Sequence, residues 1–72
     1  MVKSYAVLCM YDALNSGRDI RLEESCNKYG ISAPTFRRYI SLLRAFLMEK
    51  RGQELVYEKE NNCYIIKNLK KN

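Results

Sequence analysis

The sequence predicts a small α+β domain in which three helices are followed by a C-terminal β-hairpin. Three segments carry apolar residues at helical spacing, and Gly17 and Gly30 separate them. Two later segments alternate polar and apolar residues on either side of a short polar turn, which is the pattern of a hairpin. The chain has 72 residues, 47% of them hydrophobic and 29% charged, which is enough for one domain with a small core.

The first helix is predicted over residues 4–15. One face of it is apolar at the spacing i, i+3, i+4, i+7, in Val7, Met10, Tyr11 and Leu14. Gly17 is available for the left-handed conformation that ends a helix. Ile20 then lies in an extended piece that is too short for more than one or two ladder hydrogen bonds.

The second helix is short and ends at Gly30. Glu23 and Glu24 lie in its first turn, where carboxylates stabilise the positive end of the helix dipole. We expect its inward face to consist of Leu22, Cys26 and Tyr29.

The third helix is predicted to begin after Ser32 and to run to about Met48. Ser32 is a favourable N-cap residue, and Pro34 lies in the first turn, where its missing N–H costs no hydrogen bond. At about 100° per residue, one arc of this helix is apolar and is predicted to face the core. It consists of Phe36, Tyr39, Ile40, Leu43, Phe46 and Leu47.

The opposite face of the third helix is small and hydroxylated around a central arginine, Arg38. Its other members are Pro34, Thr35, Ser41 and Ala45, while Arg37 and Arg44 line one flank. Small side chains let a helix backbone approach the floor of a DNA groove, and arginine can bridge guanine O6 and N7 or hold a phosphate. An ordinary amphipathic surface helix would also direct its arginines outward, so that interpretation stays open.

Two strands are predicted, at residues 53–58 and 62–67, around the polar turn 59–62. Leu55 and Tyr57 share one face, and Tyr64 and Ile66 share another. The asparagines of the turn tolerate positive φ.

This order of elements is that of a winged helix-turn-helix domain. The turn formed by residues 30–32 has the length of a helix-turn-helix corner. In that arrangement the third helix enters the major groove and the hairpin, or wing, lies beside it. We therefore assign residues 1–67 to a winged helix-turn-helix domain and residues 68–72 to a polar, basic tail.

The net charge of +5 is concentrated in the middle of the chain. Residues 32–51 hold five basic residues against one acidic residue, a net charge of +4, whereas residues 1–31 are neutral overall. Such a concentration is typical of an electrostatic footprint for nucleic acid.

The residues that the chain lacks argue against catalysis. It has no histidine, so the commonest general base and the Ser/His and Cys/His nucleophile pairs are absent. Cys9, Cys26 and Cys63 show no metal-binding spacing and indicate buried thiols in a reducing cytoplasm. We expect neither an enzyme nor a cofactor.

The longest apolar run, residues 5–11, is far too short to span a membrane.

Residues 31–40, with the sequence ISAPTFRRYI followed by Leu43, resemble the recognition-helix signature of DeoR-type and WYL-type bacterial transcriptional regulators. That signature is an apolar residue, Ser, two variable residues, Thr, an apolar residue, a variable residue and then Arg-Asp-Ile. Residues 54–57 and 63–66 resemble the wing strands of the same families, so the resemblance covers nearly the whole chain. Tyr39 stands where these families usually have aspartate, and Asn62-Cys63 replaces their wing glycine.

The resemblance implies sequence-specific binding of double-stranded DNA by a transcriptional regulator. It implies that Ser32, Thr35 and Arg38 contact DNA, while Phe36, Ile40 and Leu43 belong to the core. The outward face adds Pro34, Arg37, Ser41 and Arg44 as candidate DNA-binding residues, and the hairpin tip adds Lys59 and Asn61. A solvated hairpin turn that contacts nothing is the alternative for the tip, since Glu58 and Glu60 flank Lys59.

The first helix is apolar almost all round, over residues 5–11. A small domain cannot cover every side of such a helix, so we expect part of it to meet another protein surface. That surface would be a second copy of the chain or an effector domain. The alternative to DNA binding is therefore a winged helix that only binds proteins.

Overall fold

The computed structural model describes residues 3–68, so residues 69–72 of the predicted tail lie outside the described part. Three helices, α1 (Lys3–Asn15), α2 (Leu22–Tyr29) and α3 (Ala33–Phe46), precede two antiparallel strands, β1 (Gln53–Glu58) and β2 (Cys63–Asn68). One π-helical turn, Leu47–Arg51, links α3 to β1. The predicted α+β class and order of elements are confirmed. Asn68, which was assigned to the tail, is the last residue of β2.

The buried stripe of α1 is rotated slightly from the predicted one. Ala6, Met10 and Leu14 are buried, whereas Val7 and Tyr11 are only half-buried at its edge. The prediction was right for Met10 and Leu14 and missed Ala6, because alanine is a weak marker of burial. Gly17 has φ +84°, as the end of this helix requires.

Ile20 forms the short strand segment that the sequence predicted. Its N–H donates to the Tyr64 carbonyl over 3.1 Å, and the Tyr64 N–H donates back over 2.8 Å. β2 therefore lies between Ile20 and β1. Since the main-chain groups of Tyr64 point toward Ile20, the opposed pair Tyr57 and Tyr64 is a non-hydrogen-bonded pair of the ladder.

The inward face of α2 is partly as predicted. Tyr29 is buried, while Leu22 and Cys26 are half-buried against the core. Ser25 is also buried, although its hydroxyl gave no sign of this in the sequence. Gly30 ends the helix at φ +64°, with its N–H donating to the Cys26 carbonyl.

The core-facing side of α3 consists of Phe36, Tyr39, Ile40 and Leu43, all buried as predicted, and Leu47 is buried in the turn that follows. Phe46 was also predicted to be in the core, and this is wrong: it is 45% exposed. Its ring lies edge-to-face against Tyr11 with the centroids 5.7 Å apart, at the rim of the domain. The α-helix ends at Phe46, two residues before the predicted end, because the chain widens into the π-helical turn.

Leu55, Tyr57, Tyr64 and Ile66 share a single face of the hairpin, so the prediction that they occupy two faces was wrong. The register places Leu55 opposite Ile66 and Tyr57 opposite Tyr64, and opposed residues point to the same side of a sheet. The rings of Tyr64 and Phe36 lie 5.7 Å apart and join this face to α3. β2 begins at Cys63, one residue later than predicted, since Asn62 is in the turn with φ +58°.

Candidate nucleic-acid interface

The start of α3 is fixed by two hydrogen bonds between Ser32 and Thr35. Ser32 Oγ accepts from the Thr35 N–H over 3.3 Å and donates to Thr35 Oγ1 over 3.0 Å. The predicted N-cap is therefore confirmed, and Pro34 lies exposed in the first turn. Because the Ser32 proton is engaged, the Thr35 hydroxyl is the one that still has a free proton to donate at this helix end.

The outward face of α3 combines an exposed arginine with small side chains. Arg38, Ser41 and Ala45 are all exposed on the side opposite the buried stripe. Within residues 3–68 there are two ion pairs, Arg18 with Asp12 and Arg21 with Asp19. Neither pair includes a residue of α3. No carboxylate of the described chain therefore neutralises Arg38 by direct contact.

Arg37 lies on a different surface of α3 from its neighbour Arg38. It lines an open cavity of about 680 Å³ between the start of α2, α3 and the hairpin. Arg21 also lines this cavity, as do Glu23 and Glu24 in the first turn of α2. Two arginines and two glutamates balance each other there, so this cavity is less attractive to an anion than the face around Arg38.

Arg44 connects α3 to the hairpin. Its Nε–H donates to the main-chain carbonyl of Leu55 over 3.3 Å. The sequence predicted Arg44 only as a cation on the helix flank, and this contact with β1 was not foreseen. Arg44 is an exposed residue as a whole and forms no ion pair within residues 3–68.

The hairpin turn carries one exposed cation and a set of internal hydrogen bonds. Lys59 is exposed and forms no ion pair within the described residues. Asn61 Nδ2 donates to Glu58 Oε1 over 2.9 Å, and the Tyr57 hydroxyl is hydrogen-bonded to Asn62 Oδ1. One amide proton of the candidate Asn61 is therefore already used inside the turn.

The predicted DNA-binding residues thus fall into three groups. The first shares the N-terminal end and outward face of α3: Ser32, Pro34, Thr35, Arg38 and Ser41. Arg37 and Arg44 form a second group on the side of α3 that faces the hairpin, and Lys59 and Asn61 form the third at the hairpin turn. Sequence reasoning overlooked Leu42, which is 56% exposed on the outward face. Its angular position, about 200° from Ile40, would have revealed it.

The three cysteines are free thiols. Cys63 is buried, and burial raises the pKa of its thiol, whereas Cys9 and Cys26 are half-buried. No cluster of three or more His, Cys, Asp or Glu side chains suited to a metal ion occurs among residues 3–68. The Tyr39 hydroxyl is buried without a hydrogen-bond partner in the same part of the chain.

Fold and surface together define a small α+β domain whose third helix presents an exposed, uncompensated cationic face. No protein-family model, curated protein or solved structure matches the chain. None of the helices within the described residues is both long enough and apolar enough to cross a membrane.

Proposed function

We propose that this chain is a winged helix-turn-helix domain that binds double-stranded DNA sequence-specifically, as a transcriptional regulator or part of one. The order of elements supports this fold, as does the β-bridge between Ile20 and Tyr64 of β2, which ties the segment between α1 and α2 to the hairpin. In this arrangement α3 enters the major groove and the hairpin lies beside it.

The exposure of Arg38 on the outward face of α3 carries the proposal. An arginine without a carboxylate partner keeps all its N–H donors for a ligand, and guanine O6 and N7 accept two of them in the major groove. Ser41 and Ala45 are small enough to let the helix backbone come close to the base edges. A buried ion pair at Arg38 would have argued for a structural role instead.

The other candidate residues suit contacts with the DNA backbone. The free proton of Thr35 and the terminal NH₂ groups of Arg44 can donate to phosphate oxygens on either side of the groove. Lys59 and Asn61 at the hairpin turn would contact flanking phosphates or the minor groove. Arg37 would add a further phosphate contact on the hairpin side.

Membership of the DeoR-type or WYL-type bacterial regulators is part of the proposal. It is supported by the positions that match the recognition-helix signature. The positions expected in the core are buried, and positions expected to contact DNA are exposed. Phe36, Ile40 and Leu43 are buried, while Ser32 and Arg38 are exposed. Such a regulator acts in the cytoplasm, a compartment that keeps free thiols reduced.

The proposal is tested by selecting the duplex that binds most tightly from a random DNA pool. That duplex is then titrated with the unmodified protein and with Arg38→Ala in gel-shift experiments. We expect the variant to lose about 1–3 kcal/mol on the selected duplex and much less on a scrambled one. Arg18→Ala is the matched control, since it removes the same side chain from the exposed pair with Asp12. Equal binding of the selected duplex by Arg38→Ala and the unmodified protein would contradict the assignment.

A second candidate function, protein binding by the same fold without DNA, is favoured by the exposed apolar residues of α1. Tyr5 and Leu8 are 57% and 62% exposed and line a shallow groove of about 570 Å³ next to Tyr29. This function predicts no salt-dependent affinity for DNA, even at low ionic strength. Analytical ultracentrifugation tests its homodimeric form, and a strict monomer at high micromolar concentration contradicts that form.

A further inference from the structure

Leu42 is an exposed apolar residue in the middle of the otherwise polar and small outward face of α3. It is 56% exposed and is not among the half-buried side chains that pack against the core. The buried stripe lies on the other side of the helix, so Leu42 is not part of the core contact of α3.

Phe46 is the other exposed large apolar side chain of α3. Phe46 packs its ring against Tyr11, which accounts for its place at the rim of the domain. Leu42 lies one turn earlier, between Arg38 and Phe46, which precede and follow it by four residues on the same side of the helix. A single exposed leucine is common on protein surfaces, so its position relative to Arg38 is what makes it informative.

Arg38 and Leu42 are four residues apart on one helix face. Side chains at this spacing are neighbours about 5–6 Å apart along the helix. The rise between stacked bases is about 3.4 Å. If Arg38 reads a guanine in the major groove, Leu42 therefore reaches a base about one to two steps away.

The chemistry of the major groove leaves one apolar group for Leu42 to contact. Base edges in this groove present hydrogen-bond donors and acceptors, apart from the C5-methyl group of thymine. We infer that Leu42 is a specificity residue that packs against a thymine methyl group, one or two base pairs from the guanine read by Arg38. This inference rests on the proposed function, because it requires α3 to lie in the groove.

The test removes the methyl group alone. Each thymine of the selected duplex is replaced in turn by deoxyuridine, and each duplex is titrated with the unmodified protein and with Leu42→Ala. Loss of one buried methyl group should weaken binding by the unmodified protein about fourfold at a single position. Leu42→Ala should bind that duplex and its parent equally well.

Met48→Ala is the control, because it shortens another exposed apolar side chain, in the π-helical turn that follows α3. It should keep the deoxyuridine effect of the unmodified protein. Since Leu42 and Met48 are both exposed, both variants should melt close to the temperature of the unmodified protein, which circular dichroism checks.

The outcomes separate the two proposals. The inference about Leu42 is wrong if binding depends on Arg38 but no replacement of thymine by deoxyuridine weakens it. It is also wrong if a replacement weakens binding by Leu42→Ala as much as binding by the unmodified protein. In both cases the DNA-binding function stands. If Leu42→Ala changes only the sedimentation coefficient, Leu42 is a protein contact and the inference is again wrong. If no duplex is selected and no binding depends on salt, the DNA-binding function fails, and the inference fails with it.

Discussion

Arg44 Nε and the Leu55 carbonyl oxygen, 3.3 Å apart, join the third helix to the first strand of the hairpin. Because Tyr57 and Tyr64 form a non-hydrogen-bonded pair, the alternation of an antiparallel ladder makes Leu55 and Ile66 another such pair. The Leu55 carbonyl therefore points away from β2, toward the open edge of the sheet. Arg44 caps that edge and fixes the hairpin beside α3.

Arg44→Met should lower the free energy of unfolding by about 1 kcal/mol. Methionine keeps most of the apolar stem but has no N–H, so the partly buried Leu55 carbonyl loses its partner. Urea denaturation followed by circular dichroism measures the change.

Arg38→Met is the matched control for this prediction, since Arg38 is exposed and takes part in no ion pair within residues 3–68. It should alter stability by less than about 0.5 kcal/mol. If both substitutions cost the same, the Arg44–Leu55 hydrogen bond contributes nothing measurable.

Local patterns in the sequence were sufficient to predict the elements of this fold. Helical spacing, the Ser32 cap and the polar hairpin turn act over a few residues, and each produced the expected element. Phe46 was misplaced because an ideal helical wheel takes no account of where neighbouring helices end. Phe46 lies at the rim, 45% exposed, with the Tyr11 ring packed edge-to-face against it.

The candidate site was predictable only as far as single residues of α3 determine it. The exposure of Arg38 follows from its angle to Ile40. The contact between Arg44 and Leu55 joins residues 11 positions apart and depends on the ladder register, which is set by the turn geometry and not by α3 alone. The hydrogen bond between Asn61 and Glu58 depends in the same way on the conformation of the turn.

Ser32→Ala should destabilise the domain by about 1 kcal/mol, because the Thr35 N–H loses the oxygen that caps α3. Ser41→Ala makes the same chemical change at an exposed position inside α3. There alanine is the better helix former, so stability should stay equal or rise slightly. Thermal melts of the two variants provide the comparison, and an equal loss at both positions would contradict a capping role for Ser32.

Tyr39→Phe should raise the free energy of unfolding by about 1 kcal/mol. The Tyr39 side chain is 5% exposed and its hydroxyl has no partner among residues 3–68, so removing the oxygen relieves an uncompensated desolvation cost. Tyr57→Phe is an informative contrast, because it removes a hydroxyl that is hydrogen-bonded to Asn62 and should destabilise slightly. Urea titration of both variants measures the change in the free energy of unfolding, which should be positive for Tyr39→Phe and negative for Tyr57→Phe. A loss of stability in Tyr39→Phe would show that the Tyr39 hydroxyl is hydrogen-bonded in the folded protein.

Lys59→Ala tests whether the hairpin turn contacts the DNA backbone. A lysine that neutralises one phosphate releases about one counterion, so its loss should reduce the slope of log K against log salt by about 0.9. The reduction should be the same for selected and scrambled duplexes, since phosphates carry no sequence information.

Lys28→Ala is the matched control, because Lys28 lines the grooves between α1 and α2, away from the hairpin. Lys28→Ala removes the same charge, so a reduction of the salt slope that is due to net charge alone would appear in both variants. A slope reduced only in Lys59→Ala places the hairpin on the DNA. An unchanged slope would mean that the turn is solvated and that the flanking carboxylates, Glu58 and Glu60, keep it away from phosphate.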